Sequence, residues 1–136
     1  MVSTNVLLSV EPRYAEAILS GAKKYEFRRT IFKRKDIDKV YLYSNSTTKK
    51  IVGSFKIEKI LKGTPQEIWN TCYKYSGISR KDFFKYFKGS RKAFGIKIKD
   101  VHRFYAPVDP YLIVDNFKPP QSFYYIGENI FSNEMI

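Results

Sequence analysis

Hydrophobic positions near the start of the chain follow first a strand pattern and then a helix pattern. The apolar run at residues 6–10 is of the kind that forms a buried strand. Pro12 follows at a position typical of the first residue of a helix, and Tyr14 and Ile18 recur at helical spacing ahead of Gly21. The pattern therefore predicts a strand and then a helix over residues 12–20 that ends before the glycine.

The stretch 21–29 alternates between polar and aromatic side chains, which predicts a second strand. Alternation places Lys24, Glu26 and Arg28 on one face and the two rings at positions 25 and 27 on the other. Lys23 has the wrong parity for the polar face, so we expect it to join that face only through the turn after the glycine or through a bulge. Residues 30–38 read as a basic loop.

The middle of the chain predicts two strands followed by two helices. Residues 40–43 and 51–61 have strand patterns around a polar turn at residues 44–48, and Gly53 is expected at a bulge or a close backbone approach. Residues 64–67 form a capping box with proline at the first helical position, and residues 79–82 resemble a second one. With stops at Gly77 and Gly89, these segments predict an αα insertion between strands.

The last third returns to a strand pattern. Residues 92–100 alternate between apolar positions and a basic face that carries Lys97 and Lys99, and residues 122–126 predict a final strand. Five or six strands, one early helix and the αα insertion predict an α+β fold built on a small, mixed β-barrel. We expect residues 1–136 to form one domain with a core at about 5–127 and a partly ordered tail at 128–136.

The net charge of the chain indicates a class of binding partner. The 136 residues carry a formal net charge of +12, and aromatic residues make up 17% of the chain. Such an excess of basic residues favours a polyanionic partner, with nucleic acid first and an anionic membrane surface second. The alternative is a coat of lysines that only keeps the protein in solution.

Single copies of cysteine and histidine exclude several kinds of chemistry. Cys72 has no second cysteine with which to form an intrachain disulfide or a cysteine-rich zinc site, and His102 alone leaves little for a histidine metal centre. We therefore expect neither a metal nor a cofactor. The N-terminus does not read as a signal peptide, and no stretch is apolar enough to span a membrane, which predicts a cytoplasmic protein.

The densest basic segment runs from residue 23 to residue 35, where seven of thirteen residues are lysine or arginine. Ile31 and Phe32 interrupt the run, a mixture expected of a surface that meets both phosphates and bases. The alternative is a solvated loop in which these two apolar residues point inward. The pattern leaves both open.

The segment also carries a family fingerprint. Gly21, Lys23, Glu26 and Arg28 match the pattern Gly-x-Lys-x-x-Glu-x-Arg, so the sequence resembles the ASCH domain family of the PUA-like superfamily. A preceding strand and helix, and a later Ala-Phe-Gly-Ile-Lys-Ile strand, agree with that plan over roughly residues 5–127. The resemblance implies a pseudo-barrel whose mouth is closed by helices and a cleft beside the fingerprint that suits nucleic acid.

Carried over to this chain, the resemblance places Lys23, Glu26 and Arg28 in that cleft. Arg28 would offer a planar fork to a phosphate or a base edge, Lys23 a point charge, and Glu26 an acceptor for an exocyclic amine or a ribose hydroxyl. Tyrosines near the mouth would stack on bases; Tyr25, Tyr41 and Tyr43 are nearest in the chain. The full predicted binding set is Lys23, Lys24, Glu26, Arg28, Arg29, Lys33, Arg34, Lys35, Tyr43 and Lys97.

Three functions fit these observations. The first is an RNA-binding protein, monomeric or weakly dimeric, that recognises RNA or a modified nucleotide and acts in translation, RNA modification or transcriptional regulation. The second is a ribonuclease or nucleoside amidohydrolase in which Glu26 is the general base and Lys23 stabilises negative charge. Relatives that resemble amidohydrolases of acetylated cytidine pair lysine with threonine, and Glu26 stands at that position here. The third is a protein–protein adaptor that docks through exposed Phe83, Phe84 or Phe87.

Overall fold

The computed structural model describes residues 4–127, which form six strands, four short α-helices and one 3₁₀ turn. Their bounds are β1 Thr4–Val10, α1 Pro12–Ser20, β2 Tyr25–Arg28, β3 Ile37–Ser44, β4 Lys50–Gly63, α2 Pro65–Cys72, the 3₁₀ turn Tyr73–Tyr75, α3 Arg80–Tyr86, β5 Ala93–Val108, α4 Pro110–Ile113 and β6 Phe123–Ile126. The predicted helix over residues 12–20 and both insertion helices are confirmed, whereas α4 has no counterpart in the sequence-based prediction. The expected tail at 128–136 lies outside the described residues.

All six strands belong to one mixed sheet, in the order β2-β5-β4-β3-β1-β6. The β1–β3 pair is parallel, and α1 and β2 form the crossover connection that a parallel pair requires; the other pairs are antiparallel. The sheet curls into a half-barrel. Arg28, on the edge strand β2, donates a hydrogen bond to Ser122 Oγ, which lies just before the opposite edge strand β6. The α+β fold with a mixed sheet, an early helix and an αα insertion is therefore confirmed.

Apolar side chains fill the two faces of the sheet with separate clusters. The concave face holds Leu8, Val40, Phe55 and Ile96 with α1, while the other face packs Tyr41, Ile51 and Phe104 under the segment that follows α4. Ile51 and Phe55 thus lie on different faces, contrary to the simple alternation of β4. The reason is the irregular pairing at Gly53, where a β-carbon would come within 2.5 Å of the carbonyl oxygen of His102.

The αα insertion packs its aromatic side chains against β2 and β5. Phe83 and Phe87 are fully buried, Phe84 is half-buried, and the Phe83 ring meets the Phe27 ring edge-to-face at 5.0 Å. The start of α2 follows the predicted chemistry, since the Thr64 hydroxyl accepts from the Glu67 amide and the Thr64 amide donates to the Glu67 carboxylate. At the start of α3, the Ser79 hydroxyl accepts from the Asp82 amide. Burial of these phenylalanines counts against an adaptor that docks through them.

Over residues 4–127, no helix is long and apolar enough to cross a membrane. The same residues contain no group of three or more His, Cys, Asp or Glu side chains that could hold a metal ion.

Candidate functional site

A cleft of about 850 Å³ opens beside β2, between α1 and the αα insertion. The segment after β1 and the residues just before β6 complete its walls, because the curl of the sheet brings both edges to this mouth. The lining mixes charged side chains with aromatic and aliphatic ones. It includes Ser9, Arg13, Tyr14, Lys23, Glu26, Phe27, Arg28, Arg29, Asp82, Tyr86 and Ser122.

Lys23 lies in the turn between α1 and β2 and extends from there into the cleft, as its position out of step with the polar face of the strand leads us to expect. Its amide donates to the carbonyl oxygen of Ala17 at 2.9 Å, and its side chain is only 2% exposed. The ammonium group donates to the carbonyl oxygen of Ser76 at 2.5 Å and lies 4.7 Å from the centre of the Phe27 ring. Burial lowers the pKa of Lys23 to about 8, although the negative charge of Glu26 opposes that shift.

Glu26 and Arg28 form an ion pair at the mouth of the half-barrel. Arg28 Nη1 lies 3.2 Å from Glu26 Oε2, with the two side chains 12% and 7% exposed. Arg28 also donates to Ser122 Oγ at 2.5 Å and to the carbonyl oxygen of Ser9 at 3.4 Å. Its buried Nε has no hydrogen-bond partner within residues 4–127, so one donor of the fork is unused.

Two tyrosines form opposite parts of the cleft wall, each against an arginine. The guanidinium carbon of Arg13 lies 4.5 Å from the Tyr14 ring on α1, and that of Arg29 lies 4.9 Å from the Tyr86 ring on α3. Arg13 also reaches α3 through Asp82 at 3.5 Å. Burial raises the pKa of Tyr14. The wall therefore offers planar side chains of the kind on which nucleic-acid bases stack.

The sequence did not single out Tyr14, Tyr86, Arg13 or Ser122 as site residues. Tyr14 fits the apolar spacing of α1, and that spacing does not distinguish a ring in the core from a ring at the cleft. Tyr86 comes from the insertion, more than 50 residues after the fingerprint. The packing of the insertion beside β2 brings Tyr86 to α1, and the curl of the sheet brings Ser122 to Arg28.

The other basic residues that the sequence predicts near the fingerprint do not all lie in the cleft. Arg29 joins Lys23, Glu26 and Arg28 in the lining, but Lys24 is exposed and lies 4.8 Å from the Tyr75 ring outside it. Lys33, Arg34 and Lys35 are exposed in the loop before β3, and none of them lines the cleft. In that loop Phe32 is 4% exposed and packs in the concave core, as the alternative interpretation of the basic run expected.

Tyr43 and Lys97 lie away from the cleft. Tyr43 is 2% exposed and packs on the face of the sheet opposite the concave core, with its ring 5.8 Å from that of Phe117. Its ring is therefore not available to stack on a base in this structure. Lys97 pairs across strands with Tyr25, on the face opposite Glu26, and its ammonium group lies 2.9 Å from Glu58.

In chemical terms, the cleft combines a buried amine, a carboxylate and a guanidinium with planar walls. Cations at its base attract anions such as phosphate, and the carboxylate accepts hydrogen bonds from amines or hydroxyls. The thiol of Cys72 is buried nearby, and burial raises its pKa to about 11, so it is not poised as a nucleophile.

Comparisons with known proteins agree with the fingerprint. The family model of the ASCH domain matches residues 8–107. A protein named ASCH domain-containing ribonuclease from Zymomonas mobilis is 29% identical over 119 residues, which cover 85% of this chain and 80% of that protein. The crystal structure of ASCH from Zymomonas mobilis has a TM-score of 0.81 and 28% identity, covering 90% of this chain and 87% of that one.

A third relative is similar to this chain over only part of its own length. The large ribosomal subunit protein uL22 of Ureaplasma parvum is 30% identical over 107 residues, which cover 76% of this chain but only 33% of that protein. The likeness is therefore to one part of that protein.

Proposed function

The chain belongs to the ASCH domain family, and we propose that it is an RNA-binding protein that holds an unpaired nucleotide in the cleft beside β2. The observation that carries this proposal is the convergence of Lys23, Glu26 and Arg28, three residues of the fingerprint, in one cleft with two tyrosine rings. The net charge of +12 supports a polyanionic ligand.

Each side chain has a role in this proposal that follows from its surroundings. Arg28 lines the cleft and presents its guanidinium to a phosphate or to an acceptor on a base, and Lys23 adds positive charge behind it. Glu26 is held by Arg28 and accepts from an exocyclic amine or a ribose hydroxyl. Tyr14 and Tyr86 stack on the base. An 850 Å³ cleft is within the usual range for small-ligand sites, so a free nucleotide is a second form of the same ligand.

The test is equilibrium binding of a labelled single-stranded RNA pool at several salt concentrations. The wild type is compared with Glu26→Gln and with Lys23→Met, which removes the charge but keeps most of the volume. We expect saturable, salt-sensitive binding, weakened at least tenfold by both changes. Lys49→Gln, on an exposed turn residue outside the cleft, is the control. Absence of wild-type binding near physiological salt, or equal binding by all four proteins, would contradict the proposal.

The second candidate function is RNA cleavage, favoured by the proximity of a carboxylate to an amine whose pKa is about 8. The Zymomonas mobilis relative carries the name ribonuclease. In the corresponding reaction here, Glu26 takes the proton of a ribose 2′-hydroxyl, whose oxygen then attacks the adjacent phosphorus. The P–O5′ bond breaks and the leaving oxygen takes up a proton from solvent, to which Glu26 returns the one it accepted, while Lys23 and Arg28 stabilise the negative charge on the phosphoryl oxygens.

Denaturing gels of the same RNA decide between binding and cleavage. If the protein is a ribonuclease, the wild type produces fragments that end in a 2′,3′-cyclic phosphate, and Glu26→Gln leaves the RNA intact. Binding of RNA that stays intact over many hours would restrict the function to binding. Fragments formed equally by wild type and Glu26→Gln would point to a contaminating nuclease.

A further inference from the structure

Four lysines lie together on the convex side of the β4–β5 pair, away from the cleft. Lys59 is the direct cross-strand partner of Lys97, and Lys56 is the direct partner of Lys99. We call these four residues the outer lysine face. Lys59 and Lys99 are exposed, and the side chains of Lys56 and Lys97 are 44% and 35% exposed.

This arrangement is unfavourable for the isolated protein. Directly opposed residues on antiparallel strands have their β-carbons about 5 Å apart, and like charges in such pairs destabilise a sheet. Two acidic residues offset part of the repulsion, because Lys97 lies 2.9 Å from Glu58 and Lys56 lies 3.5 Å from Asp38. Four cations against two carboxylates still leave net positive charge on this face.

Glu58 shows how closely the lysines gather. The pairing of β4 with β5 is irregular between Ile57 and Lys59, and Glu58 is the additional residue at that bulge. Its hydrogen bond from Lys97 lowers the pKa of Glu58, and the charges of Lys97, Lys59 and Lys99 lower it further. The positive charges of three of the four lysines therefore act on one carboxylate.

The outer lysine face cannot be a second wall of the cleft. Tyr25 pairs with Lys97 and Glu26 pairs with Ile96, so the lysines lie on the opposite side of the sheet from the Glu26 carboxylate. None of the four lines the cleft. Lysines on a sheet surface act as point charges and suit backbone phosphates, whereas bases need planar partners or pockets.

We propose that the outer lysine face binds the phosphate backbone of double-stranded RNA. A duplex displays phosphates and 2′-hydroxyls on its outside, and its deep, narrow major groove admits no side chains, which matches a face of point charges. The ring next to this face, that of Tyr25 opposite Lys97, packs against the insertion. This site is separate from the cleft and goes beyond the function proposed for it. Together the two sites would select RNA in which an unpaired nucleotide lies beside a stem.

The experiment compares full-length wild type with the double variant Lys59→Gln/Lys99→Gln, which leaves the Lys97–Glu58 and Lys56–Asp38 pairs intact. Lys49→Gln/Lys118→Gln removes the same charge at exposed positions outside the cleft and the outer lysine face, and is the matched control. The probes are a blunt 20-base-pair RNA duplex, a single-stranded 8-nucleotide RNA, and vesicles that contain anionic phosphatidylserine. Thermal melting of each variant verifies folding.

For the duplex we expect the double variant to bind about tenfold more weakly, with the slope of log affinity against log salt reduced by about two. The control should change both quantities much less, and binding of the 8-nucleotide RNA should stay near that of the wild type. Equal losses in both double variants, or no duplex binding by wild type, would overturn the proposal. Vesicle binding that depends on Lys59 and Lys99 without duplex binding would also overturn it, in favour of a membrane surface.

These outcomes separate the two proposals. Duplex binding that depends on Lys59 and Lys99 together with a cleft that binds no single strand would leave the outer lysine face standing and remove the proposed function. The reverse pattern would retain the cleft function and reject the face.

Discussion

Gly77 lies so close to Lys23 that a β-carbon at position 77 would collide with Lys23 Cβ and come within 2.6 Å of Lys23 Cγ. The glycine follows the 3₁₀ turn of the insertion with a φ of +63°, and the neighbouring carbonyl of Ser76 accepts from the Lys23 ammonium group. The insertion therefore holds Lys23 in the cleft through a backbone contact that only glycine allows.

Replacing Gly77 with alanine should displace Lys23 and weaken RNA binding along with stability. The left-handed backbone alone costs an alanine about 1–2 kcal/mol, and the clash with a buried side chain adds to that. Gly89→Ala is the control, because Gly89 has a φ of +83° but a β-carbon at that position would meet nothing within 4 Å. Chemical denaturation and RNA titration should show a loss of stability in both variants and a loss of binding only in Gly77→Ala. Equal behaviour of the two variants would refute the contact.

The buried amine of Lys23 should leave a signature in the pH dependence of stability. Its pKa is about 8 in the folded protein and 10.5 in its ordinary state, so between these values the unfolded chain binds the additional proton. Stability therefore rises as the pH increases through this window. Lys23→Met lacks this titration. From pH 7 to pH 10, we therefore expect the free energy of unfolding of wild type to increase by about 2–3 kcal/mol relative to that of Lys23→Met.

Taking the difference between the two proteins removes contributions that they share. Burial raises the pKa values of Tyr41 and Tyr124, which lowers the stability of both proteins above pH 10, since the unfolded tyrosines lose their protons first. Urea denaturation at closely spaced pH values measures the difference. A constant difference across the window would mean that Lys23 titrates like an exposed lysine.

Local signals in the sequence are sufficient to predict most helices and strands. Pro12 and Gly21 bound α1, and the capping box at Thr64 starts α2, because these residues act on the backbone within one turn. The faces of β4 are harder to predict. One irregularity at Gly53 places Ile51 on the other face of the sheet from Phe55. At this irregularity Gly53 closely approaches the carbonyl oxygen of His102, which is 49 positions away in the chain.

The site shows the same division between local and distant information. The fingerprint identifies Lys23, Glu26 and Arg28, which are near one another in the chain and lie together in the cleft. The sequence predicts Tyr43 in the cleft only because it is near the fingerprint in the chain. Alternation along β3 places its ring on the face of the sheet opposite the concave core. Tyr86 and Ser122 reach the cleft through the packing of the insertion and the curl of the sheet, and neither contact has a local signal.

Arg28 should contribute more to stability than an exposed arginine in a shorter ion pair. Arg28→Met leaves the buried Glu26 carboxylate without its guanidinium partner and breaks the link to Ser122, so we expect a loss of about 3 kcal/mol. Arg34→Met is the control: its 2.6 Å pair with Asp36 is about half exposed on both sides, so the change should cost much less stability than Arg28→Met. Urea denaturation measures both variants.

The double variant Glu26→Gln/Arg28→Met separates the ion pair from the other contacts of Arg28. Because it contains no unpaired carboxylate, it should be less destabilised than Arg28→Met alone. Additive losses from the two single changes would show that the ion pair contributes nothing beyond its individual members.

Tyr86 tests whether the cleft wall stacks on a base or only shapes the cavity. Its ring lies beside Arg29 and packs edge-to-face on Phe87 at 4.8 Å, so Tyr86→Phe keeps the plane while Tyr86→Ala removes it. Because stacking is worth about 1–3 kcal/mol per base, we expect single-stranded RNA to bind Tyr86→Ala about tenfold to hundredfold more weakly, and Tyr86→Phe nearly as tightly as wild type. Tyr105→Ala, at a ring that is 89% exposed outside the cleft, should leave binding unchanged. Fluorescence anisotropy with one labelled RNA measures all four proteins. If alanine and phenylalanine at position 86 weaken binding equally, the hydroxyl rather than the ring is the contact, and the stacking role is wrong.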